Sequence, residues 1–186
     1  FYLGPMFRAE RPQAGRFRQF HQYGVEAIGT VSPVVDAESV LLCMDILRAC
    51  QVRGATVWLA SMGCRMDQER SATALRTQLV PHQSRLCPDC QARCERNVFR
   101  VLDCKNPRCQ EIAWGLLGHS ASQMTSPFLL CDACTTHFDT VRRTLETLQV
   151  PFDDTKHFAR GLDYYTRTVF EVHAEGLGVK DAVAAG

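Results

Sequence analysis

Seven of the ten cysteines lie between Cys87 and Cys134, and four of these form two C-x-x-C pairs, Cys87-x-x-Cys90 and Cys131-x-x-Cys134. That clustering constrains the middle of the chain more than any other feature, because a C-x-x-C turn lets two thiolates reach one ion. No basic start followed by an apolar run marks secretion, so metal is favoured over a disulfide framework. The pairs admit three readings: a structural tetrathiolate Zn²⁺ site of Cys87, Cys90, Cys131 and Cys134, free thiols in a reducing cytosol, or a redox pair. The 40 residues between Cys90 and Cys131 exceed the usual ribbon spacing, and Cys94, Cys104 and Cys109 compete for a ligand position.

With 186 residues, 46% hydrophobic and 22% charged, the chain can bury a core without staples and is not disordered. Lys plus Arg is 21 and Asp plus Glu is 20, so a net charge of +1 gives no bulk attraction to nucleic acid or anionic membrane. Any polyanion site must be local. No run approaches the roughly 18 apolar residues of a membrane span, and the chain reads as soluble, cytoplasmic and without a membrane partner. It opens on Phe1 without Met and stops on Ala-Ala-Gly186 inside a strand-like pattern, which reads as an excerpt from a longer polypeptide.

Residues 1 to 29 predict two strands joined by an arginine-laden loop. Ser32-Pro33 opens a helix carrying Val40, Leu41, Met44 and Leu47 on one face and ending at Gly54. Residues 55–60 predict a buried strand, 65–80 a helix, 132–149 an amphipathic helix closed by Pro151, 168–173 a strand, and a last strand enters at Ala182. Residues 84–126 are the least regular, with a strand-like piece at Val98 to Leu102. Strands at both ends around a mainly helical middle predict one sheet, formed by 1–61 and 159–186, interrupted by an inserted domain over 62–158.

Two constellations carry chemistry. Phe7-Arg8-Ala9-Glu10-Arg11-Pro12 is followed by Gly15-Arg16-Phe17-Arg18-Gln19-Phe20-His21-Gln22. Guanidinium groups match phosphate oxygens bidentately and keep their charge, so these arginines suit a triphosphate, with Phe17 and Phe20 offering stacking area. A solvated hairpin tip with local charge pairs fits the same residues. The second, Arg160-Gly161-Leu162-Asp163-Tyr164-Tyr165-Thr166-Arg167-Thr168-Val169-Phe170-Glu171, suits a pocket in which glycine admits close backbone approach and tyrosine hydroxyls fix a polar ligand. An edge strand with aromatic partners is its plainer reading.

Together these segments closely resemble the histidyl-tRNA synthetase family of class II aminoacyl-tRNA synthetases. The first resembles the family's second motif, FR-x-ERP-x(3)-R-x-RQFHQ, continuing as Gly24-Val25-Glu26; the second matches the histidine signature RGLDYYTRTVFE without a mismatch. The resemblance implies an α+β fold, in which the antiparallel sheet of the class II catalytic core is flanked by helices and interrupted by the mainly helical insertion. It implies a ligase that joins histidine to ATP and transfers it to tRNA(His), as a homodimer in the full-length parent. The family's first and third motifs and its anticodon-binding domain are not in these residues.

By position in the motifs, Arg8 would bind the α-phosphate and Arg16 the γ-phosphate, with Glu10 and Phe20 holding adenine. Arg160 would be a further catalytic cation at the α-phosphate, and Mg²⁺ would accompany the β- and γ-phosphates. Glu26 and Tyr165 would meet the imidazole, Gln22 the α-amino group, and Tyr164 would line the pocket. His21 would support the sheet. Arg65, Arg70, Arg76, Arg142 and Arg143 suit tRNA phosphate or a charged helix face. The alternative is the non-catalytic, synthetase-like regulatory subunit of ATP phosphoribosyltransferase in histidine biosynthesis. That relative generally erodes the ATP-binding arginines, whereas Arg8, Arg16 and Arg160 all stand here. A zinc-stabilised nucleic-acid module would explain the cysteines and neither long motif.

Overall fold

The apolar run from Tyr2 to Phe7 forms the first strand of a hairpin. β1 (Tyr2–Phe7) pairs antiparallel with β2 (Gln19–Gly24) from Tyr2↔Gly24 to Phe7↔Gln19. The computed structural model describes residues 1–9, 11–12, 17–117, 128–155, 164–174 and 182–186. These fall into two units, one of Phe1–Val57, Thr140–Pro151 and Glu171–Ala185, the other of Trp58–Asp139, Phe152–Phe170 and Gly186. The architecture is α+β. One correction concerns the single sheet expected from the strands at both ends. Among the described residues the hairpin is a two-stranded sheet of its own, because β1 and β2 pair only with each other, while β4 (Phe152–Asp153), β3 (Thr56–Ser61), β5 (Thr168–His173) and β6 (Ala182–Ala185) form a second sheet in that order.

In the first unit, α1 (Pro33–Ala49) buries Ala37, Val40, Met44 and Leu47, a three-four-three spacing that makes one apolar stripe. Pro33 sits in its first turn, where a missing N–H costs nothing. The helix stops ahead of Gly54, since Gln51 already takes a left-handed turn at φ 60° and Val52 N–H closes onto the Leu47 carbonyl at 3.0 Å. Val141 and Leu145, in the part of α5 (Asp132–Thr147) that belongs to this unit, are fully buried. β5 pairs antiparallel with β6 through Glu171↔Ala185, Val172↔Ala184 and His173↔Ala182.

In the second unit, α2 (Arg65–Leu79) packs Leu75 and Leu79 against Leu86, Val98, Val101, Leu102 and Ile112, and the thiols of Cys90, Cys104 and Cys109 share that core. The stretch that reads as irregular holds α3 (Pro88–Arg96) and α4 (Pro107–Leu116), each with proline in its first turn. Val98–Val101 is a 3₁₀ turn and not the strand its composition suggests. One tight turn puts Val98 and Val101 on the same side, and both are buried. A smaller cluster joins Met62, Phe128 and Val169, with the rings of Phe99 and Phe128 4.7 Å apart. No helix among the described residues is long and apolar enough to cross a membrane.

Candidate active site

The hairpin register decides which motif residues can act together. Side chains alternate between faces of a strand, so the pairs Met6↔Phe20 and Gly4↔Gln22 place Phe20 and Gln22 on one face, with His21 on the other. The Arg8 N–H donates to the Arg18 carbonyl at 2.8 Å, extending the ladder one step and setting Arg8 on the Phe20 face. The Arg8 guanidinium lies 3.9 Å from the Phe20 ring centroid, a cation–π contact that holds the charge at the loop mouth. Farther along this face Gln22 Nε2 donates to the Tyr2 hydroxyl at 2.8 Å. A Cβ added at Gly4 would meet nothing within 4 Å, so the face is open opposite Gln22. Glu26 follows the strand and is exposed. Glu10, Arg16 and Arg160 lie outside the described residues.

The second unit carries the tyrosines. Tyr164 and Tyr165 meet edge to face at 5.3 Å and line a cleft of about 120 Å³ with Arg65, Gln68, Glu69 and Thr166. Gln68 Nε2 donates to the Tyr165 carbonyl at 2.9 Å, fixing the signature segment to α2. The base of this arrangement is Asp67, 1% exposed, which accepts from Cys64 N–H at 3.2 Å, Cys131 N–H at 3.1 Å and Arg70 Nη2 at 3.1 Å. Burial alone would raise its pKa, but the Cys134 thiol and the Cys131 and Cys64 backbone N–H groups outweigh it and hold the carboxyl down at about 2. Gly63 takes φ +69° just before the helix, and its carbonyl accepts the Arg167 N–H at 2.7 Å. Sequence reasoning passed over Asp67. Its signal was a capping box, Cys64-x-x-Asp67, disguised by cysteine where Ser, Thr, Asp or Asn usually stands. Two of the arginines that suit tRNA phosphate also make contacts within the chain: Arg70 Nη2 donates to Asp67 at 3.1 Å, and Arg76 Nε donates to the Cys94 carbonyl at 3.0 Å.

The cysteines divide differently from the expected set. Cys87, Cys90, Cys131 and Cys134 do not surround one point. Cys87 and Cys90 gather with Cys104 and Cys109, while Cys131 and Cys134 gather with Cys64 and Asp67; each set has its ligand atoms within 4.8 Å of one another. The physical reason is local: α3 and α4 both begin beside the first group, so the partners of Cys87 and Cys90 come from the turn into α4. A backbone N–H from Cys90 leads the interactions that lower the Cys87 pKa, whereas burial pushes Cys90 and Cys109 up. Burial, then the Asp67 carboxylate, pushes Cys134 up to about 12.

A sequence model of the histidyl-tRNA synthetase family matches residues 1–66. Over all 186 residues the chain is 43% identical to a histidine–tRNA ligase of Desulfitobacterium hafniense and 45% identical to one of Halothermothrix orenii, covering 42% and 43% of those proteins. The relative from Aquifex aeolicus is 44% identical over 96% of this chain. The chain thus spans about two fifths of the length of these curated relatives. Among solved structures, apo histidyl-tRNA synthetase of Staphylococcus aureus aligns over 99% of this chain and 40% of its own, with a TM-score of 0.67 and 29% identity.

Proposed function

From the premise that this chain is related to the histidyl-tRNA synthetases along its whole length, we propose that it activates histidine with ATP and passes the histidine to the 3′ end of tRNA(His). The observation that carries this reading is that Arg8, Phe20 and Gln22 share one open hairpin face in a chain 43% identical over its full length to a histidine–tRNA ligase. In the reaction a histidine carboxylate oxygen forms a bond to the α-phosphorus of ATP, the bond to pyrophosphate breaks, and histidyl-adenylate results. The carboxylate is already ionised at pH 7, so no general base is required. Fixed cations must instead stabilise the charge growing on the α-phosphate.

Arg8 supplies one such cation, held over Phe20 before ATP arrives, and Arg160 supplies a second. Arg16 takes the γ-phosphate, and Glu10 and Phe20 take adenine by hydrogen bond and stacking. ATP enters as substrate with Mg²⁺ on its β- and γ-phosphates. Gln22 meets the α-amino group, Glu26 and Tyr165 the imidazole, and Tyr164 lines the pocket. A ligand lacking the ring nitrogens would forfeit the hydrogen bonds to Glu26 and Tyr165, about 0.5–1.5 kcal/mol for each. The same reading makes 1–61 and 159–186 the class II catalytic core, 62–158 the insertion, and the enzyme a cytoplasmic homodimer.

The test uses a chimera in which residues 1–186 replace the matched span of the Desulfitobacterium hafniense relative. Arg160→Ala should slow single-turnover adenylate formation by about 100- to 1,000-fold, the loss of one preorganised donor, while histidine affinity changes far less. A rate within about threefold of the parent chimera would remove Arg160 from the chemistry.

A further inference from the structure

We propose that Cys87, Cys90, Cys104 and Cys109 form a tetrahedral structural zinc site, separate from Cys131 and Cys134 and independent of the ligase reading. The first support is metric. Four sulfurs about 2.3 Å from a central zinc stand about 3.8 Å from each other, and Cys87 Sγ lies 3.9 Å from Cys104 Sγ with all four sulfurs within 4.8 Å of one another. Ten free cysteines include these four, so no disulfide occupies the cluster.

The second support is electrostatic and comes from the backbone. Cys87 caps α3 and Cys90 stands in its first turn; Asn106 caps α4, with Cys104 two residues before it and Cys109 in the first turn. Two helix N-termini therefore converge on the sulfurs, and a tetrathiolate zinc centre carries a net charge of about −2 that such termini favour. The N–H groups are already aimed. Cys87 N–H donates to Cys109 Sγ at 3.2 Å and Asn106 N–H to Cys104 Sγ at 3.4 Å. Bonds of this kind orient and stabilise thiolate ligands.

The third support is the surrounding shell. Cys90, Cys104 and Cys109 are buried among Leu75, Leu79, Leu86 and Val101, which excludes water and competing ligands. The other cysteine group differs in a decisive way: its carboxylate, Asp67, already accepts from three N–H donors, so that group is a hydrogen-bonded lock at the start of α2. Zinc in the first group would join the starts of α3 and α4, short helices of 9 and 10 residues that are marginal without tertiary support.

The experiment is zinc analysis of the 186-residue chain purified without chelator, with X-ray absorption at the zinc edge. About one zinc per chain with four sulfur neighbours near 2.3 Å is expected. Cys104→Ser and Cys109→Ser should each lower zinc content at least about fivefold, and Cys131→Ser should leave it unchanged. Less than about 0.2 zinc per chain, iron in its place, a nitrogen or oxygen neighbour in the first shell, or loss of zinc on Cys131→Ser alone would each overturn the site. The absorption spectrum of the unsubstituted chain decides the matter even where a serine variant fails to fold.

Discussion

Replacing Gly63 by alanine perturbs the structure at the point where the cleft is tied to α2. Gly63 has φ +69°, and a Cβ there would lie 2.6 Å from Asp67 Cβ, 2.7 Å from Asp67 Oδ2 and 2.9 Å from Leu130 Cδ2. Holding alanine in the left-handed region costs about 1–3 kcal/mol. The clash cannot be relieved cheaply, because Asp67 is buried and moving it lengthens its bonds to the Cys64 and Cys131 N–H groups; a buried group left unsatisfied costs about 1–3 kcal/mol more. Gly63→Ala should therefore destabilise the chain by about 2–6 kcal/mol. Urea unfolding read by tryptophan fluorescence measures this, with Gly4→Ala as control. Open space at Gly4 predicts a change within about 0.5 kcal/mol there. Equal midpoints for Gly63→Ala and the parent would refute the claim that Gly63 and Asp67 form a rigid junction.

Asp67 makes a pH prediction. Its folded-state pKa of about 2 lies below the unfolded value of 3.8, so its contribution is fully present above pH 3.8 and is lost as pH falls toward 2. The difference amounts to about 2 kcal/mol. Urea midpoints of the parent and Asp67→Asn should converge as pH drops from 6 to about 2.5, and a gap independent of pH would contradict the assignment. In the chimera, Phe20→Ala should raise the KM for ATP by about 5- to 150-fold through lost stacking, with the KM for histidine little changed. Glu26→Gln and Tyr165→Phe should do the reverse, raising the histidine KM by about tenfold while sparing ATP. Steady-state pyrophosphate exchange separates these cases, and an ATP defect in the tyrosine variant would move Tyr165 out of the amino-acid pocket.

Periodic segments were legible because their signal is local. The apolar run to Phe7 and the aromatic and β-branched residues from Phe20 to Ile28 mark the hairpin, and Val40, Met44 and Leu47 mark the buried stripe of α1. The middle of the chain was not, since α3 is short and strongly polar, with Cys90 its one buried residue. Its order comes from partners distant in sequence. The same physics explains the exchanged cysteine partners: two C-x-x-C turns look alike in sequence, but only the fold brings the Cys104 to Cys109 turn beside Cys87. Val98 and Val101 read as strand because β-branched residues favour strands in general, whereas packing against α2 selects a 3₁₀ turn.

The central claim, that this chain carries the ATP and histidine contacts of a histidine–tRNA ligase, is tested most directly by amino-acid-dependent ATP–pyrophosphate exchange in the chimera. Exchange that requires histidine, is not supported by the other standard amino acids, and falls when Arg8 is replaced by alanine is the predicted result. Histidine binding without exchange, as a regulatory subunit would show, or exchange indifferent to Arg8, would contradict it.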